Sequence, residues 1–247
     1  MNGKGYEKFS DNFIQSNLQK EIEMKKHTFI MPVVFLLGIL GSAIAQPQIG
    51  IMGGLNVAEV KISVEDIRET SSIKTFGLGG ILEIKLVKSL HLSLQPMYIQ
   101  KGGMVKGSEF QPEMEWNMAL LEIPVLFKLD FGNRICPYFL AGPEFGIILN
   151  SEITAEMDGI TFQGDFGPVT RQFEFGLGFG AGISFEVNIV SIFLESRYSL
   201  GLTDLTNGGI FEVSAGPITL DGTVDPEDMA TSKGIQFFTG LTIPLGW

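Results

Sequence analysis

The chain has 247 residues, a length that all-β barrels commonly use as a single domain. It carries 17 lysines and arginines against 28 aspartates and glutamates, so it lacks the cationic surface that phosphate contacts require, and we do not expect it to bind nucleic acid. With one cysteine there is no disulfide framework, while 31 glycines and 20 phenylalanines favour pleated strands over a helical bundle.

The N-terminal stretch is predicted to lie outside the working domain. Residues 1–23 are polar and irregular, and we interpret them as a non-structural extension upstream of Met24. The sequence does not decide whether translation starts at Met1 or at Met24.

Residues 24–45 follow the plan of a cleaved signal peptide. A basic start precedes the apolar run Phe29–Leu40, which is shorter than the roughly twenty residues that a transmembrane helix needs. Ala43 and Ala45 then occupy the small-residue positions before a cleavage site. We predict that the mature domain spans 46–247, and no cysteine stands at its start to carry a lipid anchor.

Eight segments of the predicted domain alternate apolar and polar residues with the period of two that β-strands show. The sixth of them is the clearest, because its phenylalanines alternate with glycines and glutamates. In chain order the segments are Gln48–Val57, Thr75–Leu86, Leu90–Lys101, the two arms of the hairpin Leu121–Leu149, Gln172–Glu186, Ile189–Leu202 and Gly234–Leu245.

The lengths of the connections alternate as well. Short ones are expected at Val87–Ser89, Asp130–Arg134 and Val187–Asn188, and long ones at Ala58–Lys74, Gly103–Glu115, Asn150–Arg171 and Thr203–Lys233. An even strand number, short periplasmic turns, long outer loops and an apolar exterior are typical of outer-membrane barrels. The predicted fold is therefore all-β, an eight-stranded antiparallel up-and-down transmembrane β-barrel in the outer membrane of a Gram-negative bacterium.

A soluble, lipocalin-like barrel stays open as the alternative. Alternation alone does not say which face of a strand points inward, and a lipocalin turns its apolar face toward a ligand. Such a barrel would leave the charges of the polar phase, Glu122 and Glu195 among them, in water on the outside.

Three prolines, Pro96, Pro124 and Pro143, fall inside predicted strands. A closed barrel has no edge strand at which a missing N–H donor would be harmless. We therefore expect bulges or breaks in the hydrogen-bond ladder at these positions.

Three phrases stand out in the predicted strands: Leu121–Lys128 (LEIPVLFK), Pro137–Pro143 (PYFLAGP) and Arg197–Asp204 (RYSLGLTD). They resemble, in order and spacing, the recurring phrases of the PorT-like outer-membrane β-barrel family, and the resemblance spans nearly all of the predicted mature chain. It implies an outer-membrane barrel with a signal peptide. The founding member is associated with a protein-secretion apparatus, a role that these phrases do not carry over by themselves.

Residues that support enzyme chemistry are scarce. With His27 in the predicted signal peptide, His91 is the only histidine of the domain, and it is expected at a periplasmic end. A Ser-His-Asp site near the outer surface therefore has no base, and metal sites built on His or Cys fail by the same count. The glycines of Gly176–Gly182 fall at every second residue with no helix after them, unlike a dinucleotide-binding loop. We predict no enzyme activity and no cofactor.

Charged residues take the polar phase of several predicted strands, and this phase faces the lumen of a membrane barrel. They are Glu83, Lys85, Glu122, Lys128, Glu174, Glu186, Glu195 and Arg197. An eight-stranded barrel has room for packed side chains and none for a water column, so we predict a closed, charge-paired core. Arg197 is the expected hub, because its planar guanidinium can hold two carboxylates.

The longest predicted loop, Thr203–Lys233, is acidic. Its carboxylates, set against the single base Lys233, are Asp204, Glu212, Asp221, Asp225, Glu227 and Asp228. Charge runs of this kind are usually solvated, so we expect an exposed, mobile loop. The alternative is a surface that binds cations or a basic partner.

Two function classes stay open. The first is a structural or interaction barrel of the cell envelope, a monomer with acidic surface loops whose partners are outer-membrane lipid and other envelope proteins. The second is a component of a secretion or small-molecule transport assembly in the outer membrane. A lumen filled by side chains favours the first class.

Overall fold

The computed structural model describes residues 47–63, 70–105, 113–132, 134–157 and 159–245. The predicted upstream extension and signal peptide fall outside these residues. The only helical element in the described chain is η1, a single 3-10 turn at Gly167–Val169. Within the same residues, no helix has the length and apolar character needed to cross a membrane.

Most of the described chain is β-strand, and the strands pair antiparallel. In chain order they are β1 (Gln48–Ser63), β2 (Thr70–Ser71), β3 (Ile73–Val87), β4 (Leu90–Leu94), β5 (Met97–Val105), β6 (Glu113–Asp130), β7 (Ile135–Met157), β8 (Ile160–Asp165), β9 (Phe173–Val187), β10 (Val190–Gly201), β11 (Gly209–Ala215), β12 (Ile218–Val224) and β13 (Met229–Pro244).

Eight walls of this sheet close into a barrel. Their order is β1, β3, β4 with β5, β6, β7, β9, β10 and β13, and β13 returns to pair with β1 from Gln48 opposite Pro244 to Ser63 opposite Met229. β4 and β5 count as one wall because both lie between β3 and β6. The predicted eight-stranded antiparallel barrel is confirmed. We call the end with the short connections the turn end and the opposite end the loop end.

The wall of β4 and β5 is interrupted at Gln95 and Pro96. The register to β6 is the same on both sides of the gap, so the feature is a ladder break and not a bulge. Neighbouring backbone groups still find partners: the Gln95 N–H donates to the Pro124 carbonyl oxygen (3.1 Å), and the Gly80 N–H donates to that of Pro96 (2.9 Å). Pro124 and Pro143 lie inside β6 and β7 at a second ladder break, because the pairs between these strands pass from Pro124 opposite Glu144 directly to Phe127 opposite Ala141. The barrel therefore accommodates all three prolines without an edge.

Several walls extend well beyond the predicted strand ends, which corrects the predicted long loops. β1 runs to Ser63, whereas the predicted strand ends at Val57, and β6 begins at Glu113 instead of Leu121. β7 continues to Met157. Strand residues consequently occupy much of all four predicted loops, Ala58–Lys74, Gly103–Glu115, Asn150–Arg171 and Thr203–Lys233.

The physical reason is that apolar and polar residues exchange faces part-way along the barrel. On β1, Ile51 and Leu55 point outward and are 63% and 61% exposed. Toward the loop end Glu59 and Lys61 take the outward positions instead, and Val60 between them is buried. The alternation of side chains continues, but its apolar phase moves inside, so the sequence pattern looks like the end of a strand.

The same exchange occurs on β6. Near the middle of the strand Leu121 and Ile123 are exposed and Glu122 is buried, whereas at the loop end Trp116 and Met118 are the buried residues. An apolar exterior suits lipid, and a polar exterior over an apolar core suits water. The exchange therefore marks the level at which the barrel leaves the bilayer.

Candidate functional site

The charged residues inside the barrel form two groups at different heights. The turn-end cluster consists of Glu83, His91, Lys128 and Asp130. The central cluster lies deeper and consists of Lys101, Glu122, Glu144, Glu174, Glu195 and Arg197, all of them buried. Charges removed from water are costly unless they are paired, so the partners of each group decide whether the lumen is stable.

Lys101 joins two of the central carboxylates. Its ammonium contacts the Glu122 carboxylate and lies 2.9 Å from Oε2 of Glu174. The hydroxyl of Ser232 donates to the other oxygen of Glu174. Glu122 depends on Lys101 alone, because neither of its oxygens accepts a well-aligned hydrogen bond within the described chain.

Arg197 joins the other two central carboxylates, those of Glu144 and Glu195. Its Nη2 lies 2.6 Å from Oε1 of Glu195 and also donates to Oε1 of Gln95. Its Nη1 lies 3.7 Å from Oε1 of Glu144, and the guanidinium stands over the Phe238 ring at 5.4 Å. A guanidinium that meets two carboxylates, an amide and an aromatic face is held in a fixed position.

Glycines on β9 make room for these side chains. A Cβ at Gly178 would overlap the Glu144 carboxylate, and a Cβ at Gly182 would overlap the Tyr138 ring. The glycines that alternate with phenylalanine along this strand therefore serve packing, because the lumen opposite them is filled by large polar groups.

The turn-end cluster is built around Glu83. Its carboxylate lies 2.9 Å from Nζ of Lys128 and 3.1 Å from Nδ1 of His91, whose Nε2 lies 2.9 Å from Oδ2 of Asp130. Tyr138 links this group to the central cluster: Lys128 Nζ stands 4.4 Å from its ring centre, and its hydroxyl donates to Oε2 of Glu195 (3.0 Å). Polar contacts thus run continuously between the two groups.

On the turn-end side of the central cluster, the lumen opens to water. A polar vestibule of about 490 Å³ opens there, with Lys85, Lys88 and Glu186 in its lining. Farther in, between Gln95 and Tyr138, the space shrinks to about 10 Å³. A single water needs roughly 10–15 Å³. Among the described residues, the lumen therefore has no room for a continuous water column between Gln95 and Tyr138.

The predicted lumen charges differ in burial. Glu83, Glu122, Glu174, Glu195 and Arg197 are buried, and Lys128 is half-buried. Lys85 and Glu186 require correction: both are exposed and line the vestibule, because the barrel already opens to water at their level.

Several members of the two clusters were not predicted from the sequence. Lys101 and Glu144 are buried inside the barrel, and His91 and Asp130 pair with one another at the turn end. Lys101 and Glu144 lie on the same face of their strands as the other lumen charges, so the alternation contained the signal for both. Their contacts cross the barrel, which no spacing along one strand can indicate.

The segment Thr203–Lys233 is not a featureless loop. It contains the hairpin of β11 and β12 and the first residues of β13. Glu212, Asp221, Asp225 and Glu227 are exposed and Asp228 is half-buried. The predicted loop therefore contains a β-hairpin, whose antiparallel pairing from Gly209 opposite Val224 to Ala215 opposite Ile218 satisfies the backbone.

Asp204 differs from the other acidic residues of this segment. Its Oδ1 accepts hydrogen bonds from the N–H groups of Thr206 (3.2 Å) and Ala230 (3.0 Å), and its Oδ2 lies 3.3 Å from Nη2 of Arg171. Burial alone would raise the pKa of Asp204, but these N–H donors, the Thr206 hydroxyl and the Arg171 charge hold it below its ordinary value. Asp204 therefore ties the start of the segment to β13.

Comparison with known proteins gives one family and a set of similar structures. A family model described as outer membrane protein beta-barrel domain matches residues 44–207. Among curated proteins no match was found. The chain is similar to neisserial surface protein A (NspA), with 13% identity over 80% of this chain and 97% of that one and a TM-score of 0.41.

Two further solved structures are similar to this chain. One is OprG from Pseudomonas aeruginosa, with 10% identity, coverage of 82% of this chain and 98% of that one, and a TM-score of 0.45. The other is a major outer membrane protein from Thermus thermophilus, with 11% identity, coverage of 82% and 100%, and a TM-score of 0.49.

Proposed function

The chain belongs to the outer membrane protein beta-barrel domain family, and from this premise we propose that it is a closed barrel with a structural or interaction role in the cell envelope. The protein resides in the outer membrane of a Gram-negative bacterium, where its apolar band faces lipid. In our proposal it is a monomer without catalytic activity, and its loop end faces the outside of the cell.

The closed lumen is the observation that carries this proposal. Lys101 and Arg197 each bridge two carboxylates at the centre of the barrel. Next to Glu195, toward the turn end, the free space is about 10 Å³, too little for more than one water molecule. A barrel that conducts solutes needs a continuous aqueous path, which calls for a larger circumference than eight strands provide.

The loop end supplies the surface for an interaction role. The hairpin of β11 and β12 stands there as a folded element, with exposed carboxylates at Glu212, Asp221, Asp225 and Glu227. A folded acidic surface favours basic partners through electrostatic complementarity.

Ion conductance tests the proposal. The purified full chain, reconstituted in planar lipid bilayers, should give no stable ion conductance at neutral pH. Heat-dependent migration on gels should first show that the sample is folded. A stable, reproducible unitary conductance from folded protein would overturn the closed-lumen function.

A narrower assignment to the PorT-like group, with a role in a secretion assembly, is our second candidate. One observation favours it: the phrases that resemble that group supply Glu122, Tyr138 and Arg197 to the buried polar network. Chemical cross-linking of cells followed by purification of the barrel should then yield a defined envelope complex. Recovery of the barrel alone, at a cross-linker dose that captures a known envelope complex, would count against this candidate.

A further inference from the structure

The interior of the barrel changes character above the central cluster. There the inward-facing side chains are apolar and aromatic, and we call this region the outer chamber. Trp116 packs edge-to-face on Phe166 with ring centres 5.1 Å apart, and Phe166 packs edge-to-face on Phe211 at 4.8 Å. Phe211 belongs to β11, so the acidic hairpin forms one wall of the chamber.

The outer chamber contains a partly open cavity of about 190 Å³. Its lining includes Ile62, Met114, Trp116, Phe166, Phe211 and Val224. Thr206, Thr223 and Asp228 are the polar residues of the lining, and the Thr206 hydroxyl already donates to the Asp228 carbonyl oxygen at 2.6 Å. A buried water needs two to four polar partners, so this cavity suits an apolar guest better than water.

The volume of the cavity limits the size of the ligand that it can hold. An engineered apolar cavity of about 150 Å³ stays dry and binds benzene, whereas pockets for drug-sized ligands begin at about 300 Å³. A cavity of about 190 Å³ therefore holds one aromatic ring with a small substituent. The two edge-to-face pairs supply the ring edges and faces with which such a guest packs favourably.

Between the outer chamber and the turn end, hydrogen-bonded and ion-paired side chains block the lumen. The Trp116 indole N–H donates to Oγ of Ser151 (2.8 Å), and Ser151 shares a hydrogen bond with Thr170 (2.8 Å). Farther down, the ion pair of Lys101 and Glu174 spans the lumen. A guest that enters from the loop end therefore stays in the chamber.

We propose that the outer chamber is a dead-end binding site for a small apolar molecule with a single aromatic ring. The molecule enters from the loop end, displaces no buried ion pair and does not pass through the barrel. The site is separate from the closed lumen and adds a ligand-binding function to the barrel.

The test uses the full chain in lipid nanodiscs with 4-fluorotoluene as the probe, followed by fluorine NMR. Empty nanodiscs measure partition of the probe into lipid, which does not saturate. The parent protein should add a saturable bound component. Val224→Phe, which places a ring in the cavity, should weaken that component at least tenfold.

Thr219→Phe is the matched control, because it adds the same ring to the same strand at an exposed position outside the lining. It should bind the probe as the parent does. Ile62→Trp, which enlarges a half-buried side chain of the lining, gives a second variant should Val224→Phe not fold, and it should also weaken binding. A two-ring probe, 1-fluoronaphthalene, should bind at least tenfold more weakly than 4-fluorotoluene.

Two outcomes would overturn the proposal. The first is the absence of a saturable component with the folded parent. The second is equal binding by the parent and by cavity-lining variants that are shown to be folded.

Discussion

Lys101 and Glu174 form an ion pair across the barrel, with Nζ of Lys101 on β5 2.9 Å from Oε2 of Glu174 on β9. Their strands are not neighbours, because β6 and β7 lie between them on the shorter way round the ring. The pair therefore ties together distant walls and helps to close the lumen, a task that hydrogen bonds between adjacent strands cannot perform.

Removal of the Lys101 charge should destabilise the barrel strongly. Lys101→Met leaves the Glu122 and Glu174 carboxylates buried without their cation. Breaking a buried ion pair in this way costs about 3–5 kcal/mol, measurable by urea unfolding in detergent. Glu122→Gln keeps the shape and removes one carboxylate from a cluster rich in them, so it should cost much less. Equal losses for the two variants would contradict this account.

Removal of the Arg197 charge should also destabilise the barrel. Arg197→Ala strands the Glu195 and Glu144 carboxylates, and we expect a loss of about 3–5 kcal/mol and a lower unfolding temperature in detergent. Lys233→Ala is the control. Lys233 pairs with Glu59 at 2.9 Å on the partly exposed outer surface, where such a pair is worth less than about 1 kcal/mol. An Arg197→Ala barrel as stable as the parent would refute the closed, charge-paired lumen.

Asp204 should give the loop end a defined acid sensitivity. Its pKa is lower in the folded chain than in the unfolded chain, because N–H donors and Arg171 favour the ionised form. Its stabilising contribution is therefore complete above the unfolded value, roughly pH 4, and is lost as the pH falls through the folded pKa.

The comparison of parent and Asp204→Asn isolates this effect. The variant should be less stable to urea at pH 7 and at pH 5, and the difference should shrink as the pH drops below about 4. A difference in stability that does not change from pH 7 to pH 2.5 would show that Asp204 does not act through its charge.

Protease treatment of whole cells tests the orientation of the barrel. Endoproteinase Glu-C should cut after Glu227, which is exposed in the connection between β12 and β13, and should leave the hydrogen-bonded walls intact. Glu227→Gln should abolish this cut. Cleavage in spheroplasts but not in intact cells would show that the loop end faces the periplasm.

The predicted signal peptide can be tested on the same material. N-terminal sequencing of the barrel purified from envelopes should begin at Gln46, because Ala43 and Ala45 form the cleavage pattern. A start upstream of residue 46 would refute processing at this site. Ala45→Arg, which places a bulky charged residue at the cleavage position, should leave the unprocessed chain to accumulate.

Much of the fold was already determined by the sequence. Alternation such as that of Leu121 and Ile123 around Glu122 identifies the two faces of a strand, and it does so because successive side chains of any strand point to opposite sides. The number of such segments and the short connections between them then led to eight walls. The loop end escaped prediction, because the exchange of faces beyond Val57 imitates the end of a strand while the backbone pairing continues.

The partners inside the lumen were decided only by the tertiary structure. Lys101 and Glu174 are 73 residues apart, and Tyr138 and Glu195 are 57 apart, yet both pairs are in hydrogen-bond contact. Alternation sorts the side chains of a strand onto two faces, but it gives neither the height of a side chain in the barrel nor its position around the ring. Those two coordinates depend on the stagger between neighbouring walls and on closure of β13 against β1, which no single strand contains.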